Sequence, residues 1–224
     1  MPGRTPLTGP GAPRTSRARR SDGEVTRRRV LDAAVAAILE LAYYEASTNE
    51  IARRAGVTWG ALQYQFGTRE ALLLEVVNDR WDRLQELVSN ARVGGDSLED
   101  RLQNLMAVLA EHYGREEELA QIQILLDLSR NPKVSGATRQ AVGEHGRKLL
   151  QAWKPLFEQA LGDAAAQADL VGYAFNALRG FLLGGLISRG VAGRRPPRSS
   201  SRMLVDGVAA VIRAEAAARD IRLD

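Results

Sequence analysis

The chain has 224 residues, 45% of them apolar, with a formal net charge of +4 and no cysteine. That length supports one substantial core or a small domain joined to a larger one. The lack of cysteine excludes disulfides, thiolate nucleophiles and cysteine-rich zinc sites. Its two histidines, His112 and His145, lie far apart in sequence, so neither a metal site nor a cofactor is expected. Sparse aromatics and abundant charge favour helices over a β-sandwich. The positive excess is localised: residues 1–66 hold ten arginines against six acids, whereas residues 67–224 hold 21 charges of each sign. A basic end beside a neutral body suggests contact with a polyanion.

In chain order, residues 1–22 are rich in Pro, Gly, Ser, Thr and Arg and predict a disordered basic arm. Pro2, Pro6, Pro10 and Pro13 interrupt it, so it does not resemble a signal peptide. From Glu24 the pattern turns helical, with Leu31, Ala34, Val35, Ile38 and Ala42 on one face. Arg27, Arg28 and Arg29 open this helix, where an external anion would relieve their repulsion from the helix dipole. Two short segments follow, Ser47–Ala55 and Thr58–Phe66, hinged on Gly56. A long amphipathic run then carries Leu73, Val76, Val77, Trp81, Leu84 and Val88, and Gly94-Gly95 ends it.

Later helical stripes appear at Leu98/Leu102/Leu105/Leu109, around Leu119–Leu128, and at Val142/Leu149/Trp153/Leu156, where Pro155 predicts a kink. Two last helices, about 164–189 and 202–218, flank a Gly/Pro/Arg/Ser linker. The stretch Leu170–Ile187 is broken by Asn176 and Arg179, so no membrane span is expected. The reading is all-α with about nine helices, in three parts. These are the arm 1–22, an N-terminal three-helix helix-turn-helix domain over 23–68, and a larger C-terminal helical domain over 69–224.

The segment STNEIARRAGVTWGALQYQF, Ser47 to Phe66, carries the chemistry. Ser47 and Glu50 are spaced as a capping box, in which serine accepts a backbone N–H and glutamate reaches back. Ile51, Ala55, Val57 and Leu62 would lock two short helices together, with Gly56 supplying the left-handed turn and Thr58 capping the second helix. Such a helix-turn-helix inserts its second helix into the DNA major groove. A bland helical hairpin does not need Trp59, Gln63, Tyr64 and Gln65 exposed on one short helix; these side chains suit base edges, sugars and phosphates.

Residues Glu50 to Leu72, with the helix before them, resemble the TetR family of bacterial transcriptional regulators. The resemblance implies DNA contacts from Trp59, Gly60, Ala61, Gln63 and Tyr64 on the second helix. It adds Thr48 and Asn49 before it, and Arg69 beside the Thr68 cap. Ser47, Thr58, Gln65, Arg27 and Arg28 complete the expected DNA-binding set. Gln63 and Gln65 depart from the aromatic or histidine residues common in the family. The family also implies a ligand pocket and a homodimer through the two C-terminal helices; a dimer would bring two recognition helices to a palindromic operator, from which a small apolar effector would release it.

Gly180, Gly184 and Gly185 would let a second helix approach closely, and Leu204, Val205, Val208, Val211 and Ile212 give the last helix an apolar face. Trp81, Met106, Tyr113, Gln123, Trp153, Phe157, Phe175 and Asn176 are the expected ligand-pocket residues. No nucleophile elbow, Walker-type loop or dinucleotide fingerprint occurs, so a cytoplasmic, non-enzymatic repressor is expected. An activator or a ligand-independent DNA-binding protein of the same fold is the alternative.

Overall fold

The computed structural model describes residues 16–194 and 197–223; the arm residues 1–15 lie outside them. Among the described residues there are nine α-helices and no strand. They are α1 (Ser16–Leu41), α2 (Thr48–Ala55), α3 (Trp59–Phe66), α4 (Arg69–Asn90), α5 (Leu98–Tyr113), α6 (Glu117–Arg130), α7 (Gly136–Leu161), α8 (Ala168–Ala192) and α9 (Arg198–Ala218). A short 3-10 turn, Gly162–Ala166, joins α7 to α8. The all-α expectation holds. Helix α1 begins earlier than its apolar face indicated, so the backbone of residues 16–22, expected in the arm, is helical. Helix α7 runs through Pro155 without ending.

The helix starts are written into the sequence. Ser47, Thr58, Thr68, Ser97 and Ser135 each sit in extended backbone and accept the N–H three residues on, satisfying a donor the helix cannot. The chain then folds around two buried clusters. The larger fills the body, with Leu102, Leu105 and Leu109 of α5 packed against Trp153, Leu156 and Phe157 of α7. Helices α8 and α9 close it with Leu178, Val208 and Ile212.

The second cluster underlies the helix-turn-helix and joins Val30, Ala34 and Ile38 of α1 to Ile51, Leu62 and Phe66. It also takes in Ala120, Ile124 and Leu128 of α6, and Val134 and Val142 around the start of α7. A boundary at residue 68 therefore does not follow the packing. Helix α4 contributes Leu72, Leu73, Val76 and Val77 to this cluster and Leu84 and Val88 to the body, so one rigid rod serves both.

By length and composition alone α8 is apolar enough to cross a bilayer, a test that a buried core helix also meets. Its Leu170, Ala174, Phe175, Leu178 and Leu186 side chains are nonetheless buried in the body.

Inside the body His112 stacks edge-on against Tyr113 and Trp153, with ring centroids 4.7 and 5.9 Å away. Burial, and then the positive charges of Arg80, Arg179, His145 and Arg115, push its pKa down from 6.5 to about 3. Between these values the unfolded chain binds a proton that the folded chain refuses. Stability contributed by neutral His112 is thus present above about pH 6.5 and declines as pH falls toward 3. His112→Gln should flatten that limb in a plot of Tm against pH; an unchanged slope would assign it to other groups.

Candidate nucleic-acid interface

The turn between α2 and α3 is fixed by backbone chemistry. Gly56 adopts φ 63°, ψ 36°, and its N–H and that of Val57 return to the carbonyls of Arg53 and Ala52. This left-handed closure suits glycine because it has no Cβ to strain. The Arg29 guanidinium donates to the carbonyl of Ala55, placing a cation at the negative end of α2 and tying it to α1. Glu50 departs from the expected capping box. Ser47 Oγ accepts from Glu50 N at 3.2 Å, but the Glu50 carboxylate turns to Arg53 and Arg54 at 2.7–2.8 Å. Those guanidiniums hold its pKa down at about 2. Arg54 also reaches Glu40 at 2.6 Å, closing α2 onto the end of α1.

On this frame α3 presents the expected residues to solvent. Leu62 and Phe66 are buried, whereas Trp59, Gly60, Ala61, Gln63, Tyr64 and Gln65 are exposed. Trp59 and Gln63, and likewise Gly60 and Tyr64, stand one helical turn apart, so these side chains share a surface. Tyr64 is 95% exposed and Trp59 53%, values that an aromatic side chain without a structural task does not need. Thr58 Oγ1 accepts from Ala61 N at 3.1 Å. Ser47 and Asn49 are exposed and Thr48 half-exposed at the start of α2, while exposed Thr68 caps α4. Hydroxyls that accept from a helix N–H retain their own O–H for an external acceptor.

The basic residues are arranged differently from expectation. Arg27 pairs with Glu75 and Arg28 lies 3.7 Å from Asp79, both on α4. They sit well inside α1 rather than at its start, so dipole relief by an external anion does not apply to them. Arg69, expected at a phosphate, turns inward. Its guanidinium lies 4.5 Å over the Tyr43 ring, donates to the Tyr43 carbonyl at 2.7 Å and lies 3.3 Å from the Tyr43 hydroxyl.

Tyr43 in turn donates to Asp127 Oδ2 of α6 at 2.6 Å. Burial, followed by the Asp127 carboxylate, pushes its hydroxyl far above the usual phenol range, so it remains a donor. A second tie runs from Ser135 Oγ to Glu70 at 2.7 Å. Residues 84 and 65 positions apart meet in these two ties. Sequence reasoning missed them because no local periodicity marks such pairs.

The expected pocket residues do not form one site. Tyr113, Trp153, Phe157 and Phe175 are a packed aromatic cluster in which Trp153 Nε1 donates to Tyr113 Oη at 3.1 Å, and Met106 is buried in the same core. Trp81 lies against the His145 ring at 4.8 Å. Gln123 and Asn176 are exposed on the outer faces of α6 and α8. Among the described residues no cluster of potential metal ligands occurs.

The family model described as "Bacterial regulatory proteins, tetR family" matches residues 30–76. The HTH-type transcriptional regulator BetI of Escherichia coli is 33% identical over 84 residues, covering 37% of this chain and 43% of BetI. The chain therefore aligns with less than half the length of that relative. Among solved structures, a transcriptional regulator from Rhodococcus sp. Rha1 superposes with a TM-score of 0.61 at 21% identity, over 83% of this chain and 95% of that one. The TetR family regulator PfmR from Thermus thermophilus gives 0.57 at 16% identity, over 81% and 97%. NalD of Pseudomonas aeruginosa, the secondary repressor of the MexAB-OprM multidrug efflux pump, gives 0.55 at 21%, over 84% and 95%. At these identities the structures speak for the fold.

Removing only the hydroxyl with Tyr43→Phe should cost about 1.5–3 kcal/mol, the range for a hydrogen bond to a charged group. Tyr44→Phe, whose ring is 82% exposed, should cost nothing measurable. Urea denaturation compares the two; equal midpoints would mean that the Tyr43–Asp127 bond contributes no stability.

Proposed function

We propose that this chain, whose residues 30–76 match the model of the tetR family of bacterial regulatory proteins, is a homodimeric, sequence-specific repressor of transcription of that family. The observation that carries the reading is the solvent face of α3, where Trp59, Gln63 and Tyr64 stand exposed on a helix capped and locked at both ends. Glutamine matches adenine edges in the major groove, and aromatic rings pack on sugar or on the thymine methyl. NalD, a repressor by its description, shares the fold. A chromosomal target implies work in the cytoplasm.

The dimer reading draws on the outer faces of α8 and α9. Tyr173, Ile187 and Val191 on α8 and Met203 and Val211 on α9 are exposed apolar side chains, a combination that marks interaction surfaces. The inner positions expected at the interface, Val205, Val208 and Ile212, are instead buried within the body. A Cβ added at Gly180 or Gly184 meets nothing within 4 Å, so the space above these glycines is open to a second copy. Two α8–α9 pairs make a four-helix interface with two-fold symmetry. The two copies of α3 then reach half-sites about 34–36 Å apart on a palindromic operator. A small molecule releases the DNA if it favours a dimer with different α3 spacing.

In vitro selection of bound duplexes should recover an imperfect palindrome; recovery of no preferred sequence would falsify the operator reading. On the selected site, Gln63→Ala and Tyr64→Ala should each lower affinity by roughly 1–3 kcal/mol while leaving Tm unchanged. Fluorescence anisotropy reads this loss, and full retention of affinity by both variants would move recognition away from α3. Gly184→Arg should leave the helical CD spectrum intact, sediment as a monomer and lose cooperative operator binding. A variant that remains dimeric would place the interface elsewhere.

A further inference from the structure

Between residues 47 and 66 the charged side chains are Glu50, Arg53 and Arg54, and α3 has none. A neutral α3 suits base edges but draws little from the phosphates, whose charge supplies most of the affinity that does not depend on sequence. In a helix-turn-helix the first helix crosses the DNA backbone while the second enters the groove. A cation on the outer face of α2 therefore stands where phosphates pass.

Most arginines at this end of the molecule are committed to its frame. Arg27 pairs with Glu75, Arg29 donates to the Ala55 carbonyl, and Arg69 lies over Tyr43. Arg54 is 18% exposed and reaches Glu40 at 2.6 Å and Glu50 at 2.7 Å, joining α1 to α2. Arg53 is different. It leaves 71% of its side chain in solvent, and among the described residues its guanidinium pairs with Glu50 alone. Asn49, Arg53 and Gly56 are all exposed at spacings of four and three, so they form one outer stripe of α2 that runs to the turn before α3.

The geometry of the Arg53–Glu50 pair is that of a fork. Arg53 Nε donates to Glu50 Oε2 at 2.8 Å and Nη2 donates to Oε1 at 2.7 Å, two bonds along one edge of the guanidinium. The same edge fits two oxygens of a phosphodiester. Opening the pair does not strand the carboxylate. Glu50 keeps Arg54, and it lies in the first turn of α2, where the helix dipole favours a negative charge. An ion pair with so exposed a partner is also weakly held.

We propose that Arg53 is a DNA-backbone contact that Glu50 holds in check. On duplex DNA the guanidinium exchanges the Glu50 carboxylate for a phosphate beside α2, and Glu50 remains with Arg54. The proposal rests on the reading of α2 and α3 as the DNA-binding surface and adds a contact outside the residues expected there. Because DNA must displace Glu50, the carboxylate lowers affinity for every duplex alike. The sequence-dependent contacts of α3 then carry a larger share of the total, which favours an operator over the great excess of other sites.

The test follows binding of the full chain by fluorescence anisotropy, on the selected operator and on a random-sequence duplex of equal length, over a series of KCl concentrations. Arg53→Gln should weaken both by a similar factor and make the slope of log K against log [KCl] shallower by about 0.9 for each bound subunit. Arg53→Lys should keep most of the slope, since a point charge still meets a phosphate. Glu50→Gln should tighten both several-fold, and that gain should shrink in the Glu50→Gln/Arg53→Gln double variant. Circular dichroism checks that each variant is compared in its folded state, and the Arg53 variants decide the contact even if Glu50→Gln does not fold. An unchanged slope in Arg53→Gln overturns the contact. An equal gain from Glu50→Gln with and without Arg53 overturns the restraint, because it reports only general repulsion between a carboxylate and DNA. Either result, with Gln63→Ala still losing operator affinity, leaves recognition by α3 standing. A slope that depends on Arg53 while Gln63→Ala and Tyr64→Ala bind as before upholds the contact and sinks recognition by α3.

Discussion

The helix-turn-helix of this protein cannot finish its own core, and most of the architecture follows from that shortfall. Its short helices bury a few side chains each, such as Ile51 and Ala55 of α2 and Leu62 and Phe66 of α3. Eight-residue helices are too short to persist on propensity and need packing to exist. The missing apolar surface comes from α1, from the first half of α4, and from Ala120, Ile124 and Leu128 of α6. A body helix is therefore built into the foundation of the DNA-binding end. The Tyr43–Asp127 and Ser135–Glu70 hydrogen bonds fasten this contact with directional chemistry, one on α6 and one just before α7. A shift of α6 in response to events in the body has no slack through which to be lost.

The same economy governs charge. Arg27, Arg28, Arg54 and Arg69 are engaged with Glu75, Asp79, Glu40 and Glu50, and Tyr43, all within the protein. They set the angle at which α1, α2 and α4 meet, and much of their positive charge is answered before any polyanion arrives. The surface of α3 is itself neutral, polar and aromatic, and the exposed helix starts around it present the partial positive charge of capped N-termini. Exposed partners of these pairs, such as Arg53 with 71% of its side chain in solvent, are screened and weakly held. They can exchange a carboxylate for a phosphate at small cost.

What was legible in the sequence was what short-range physics writes there. Apolar periodicity gave the helices, and serine or threonine three residues ahead of a helical N–H gave their starts. Gly56 at φ 63° gave the turn. Exposure of Trp59, Gln63 and Tyr64 followed from their phase against Leu62 and Phe66. The reading failed where partners are distant in sequence. Arg69 has the spacing of a phosphate contact, but Tyr43 offers it a ring and a carbonyl that solvent cannot match. The aromatic residues expected to line a pocket chose each other, because Tyr113, Trp153, Phe157 and Phe175 satisfy one another's edges and the Tyr113 hydroxyl. Asn176 and Gln123 have the polarity of ligand contacts and the helical phase of surface residues, and phase decided. Arg179, which interrupts an apolar run, lies over the Tyr113 and Phe175 rings.

The buried Arg80–Glu118 pair ties into the same shared core. Arg80 and Val76 lie one turn apart on α4, the first paired with Glu118 and the second in the core under the helix-turn-helix. Glu118 and Ala120 stand in a similar relation on α6, two residues apart. Any redistribution of charge around Arg80 and Glu118 thus acts on the two helices that complete the DNA-binding core. Rigid, close-packed helices pass such a change along as displacement rather than absorb it.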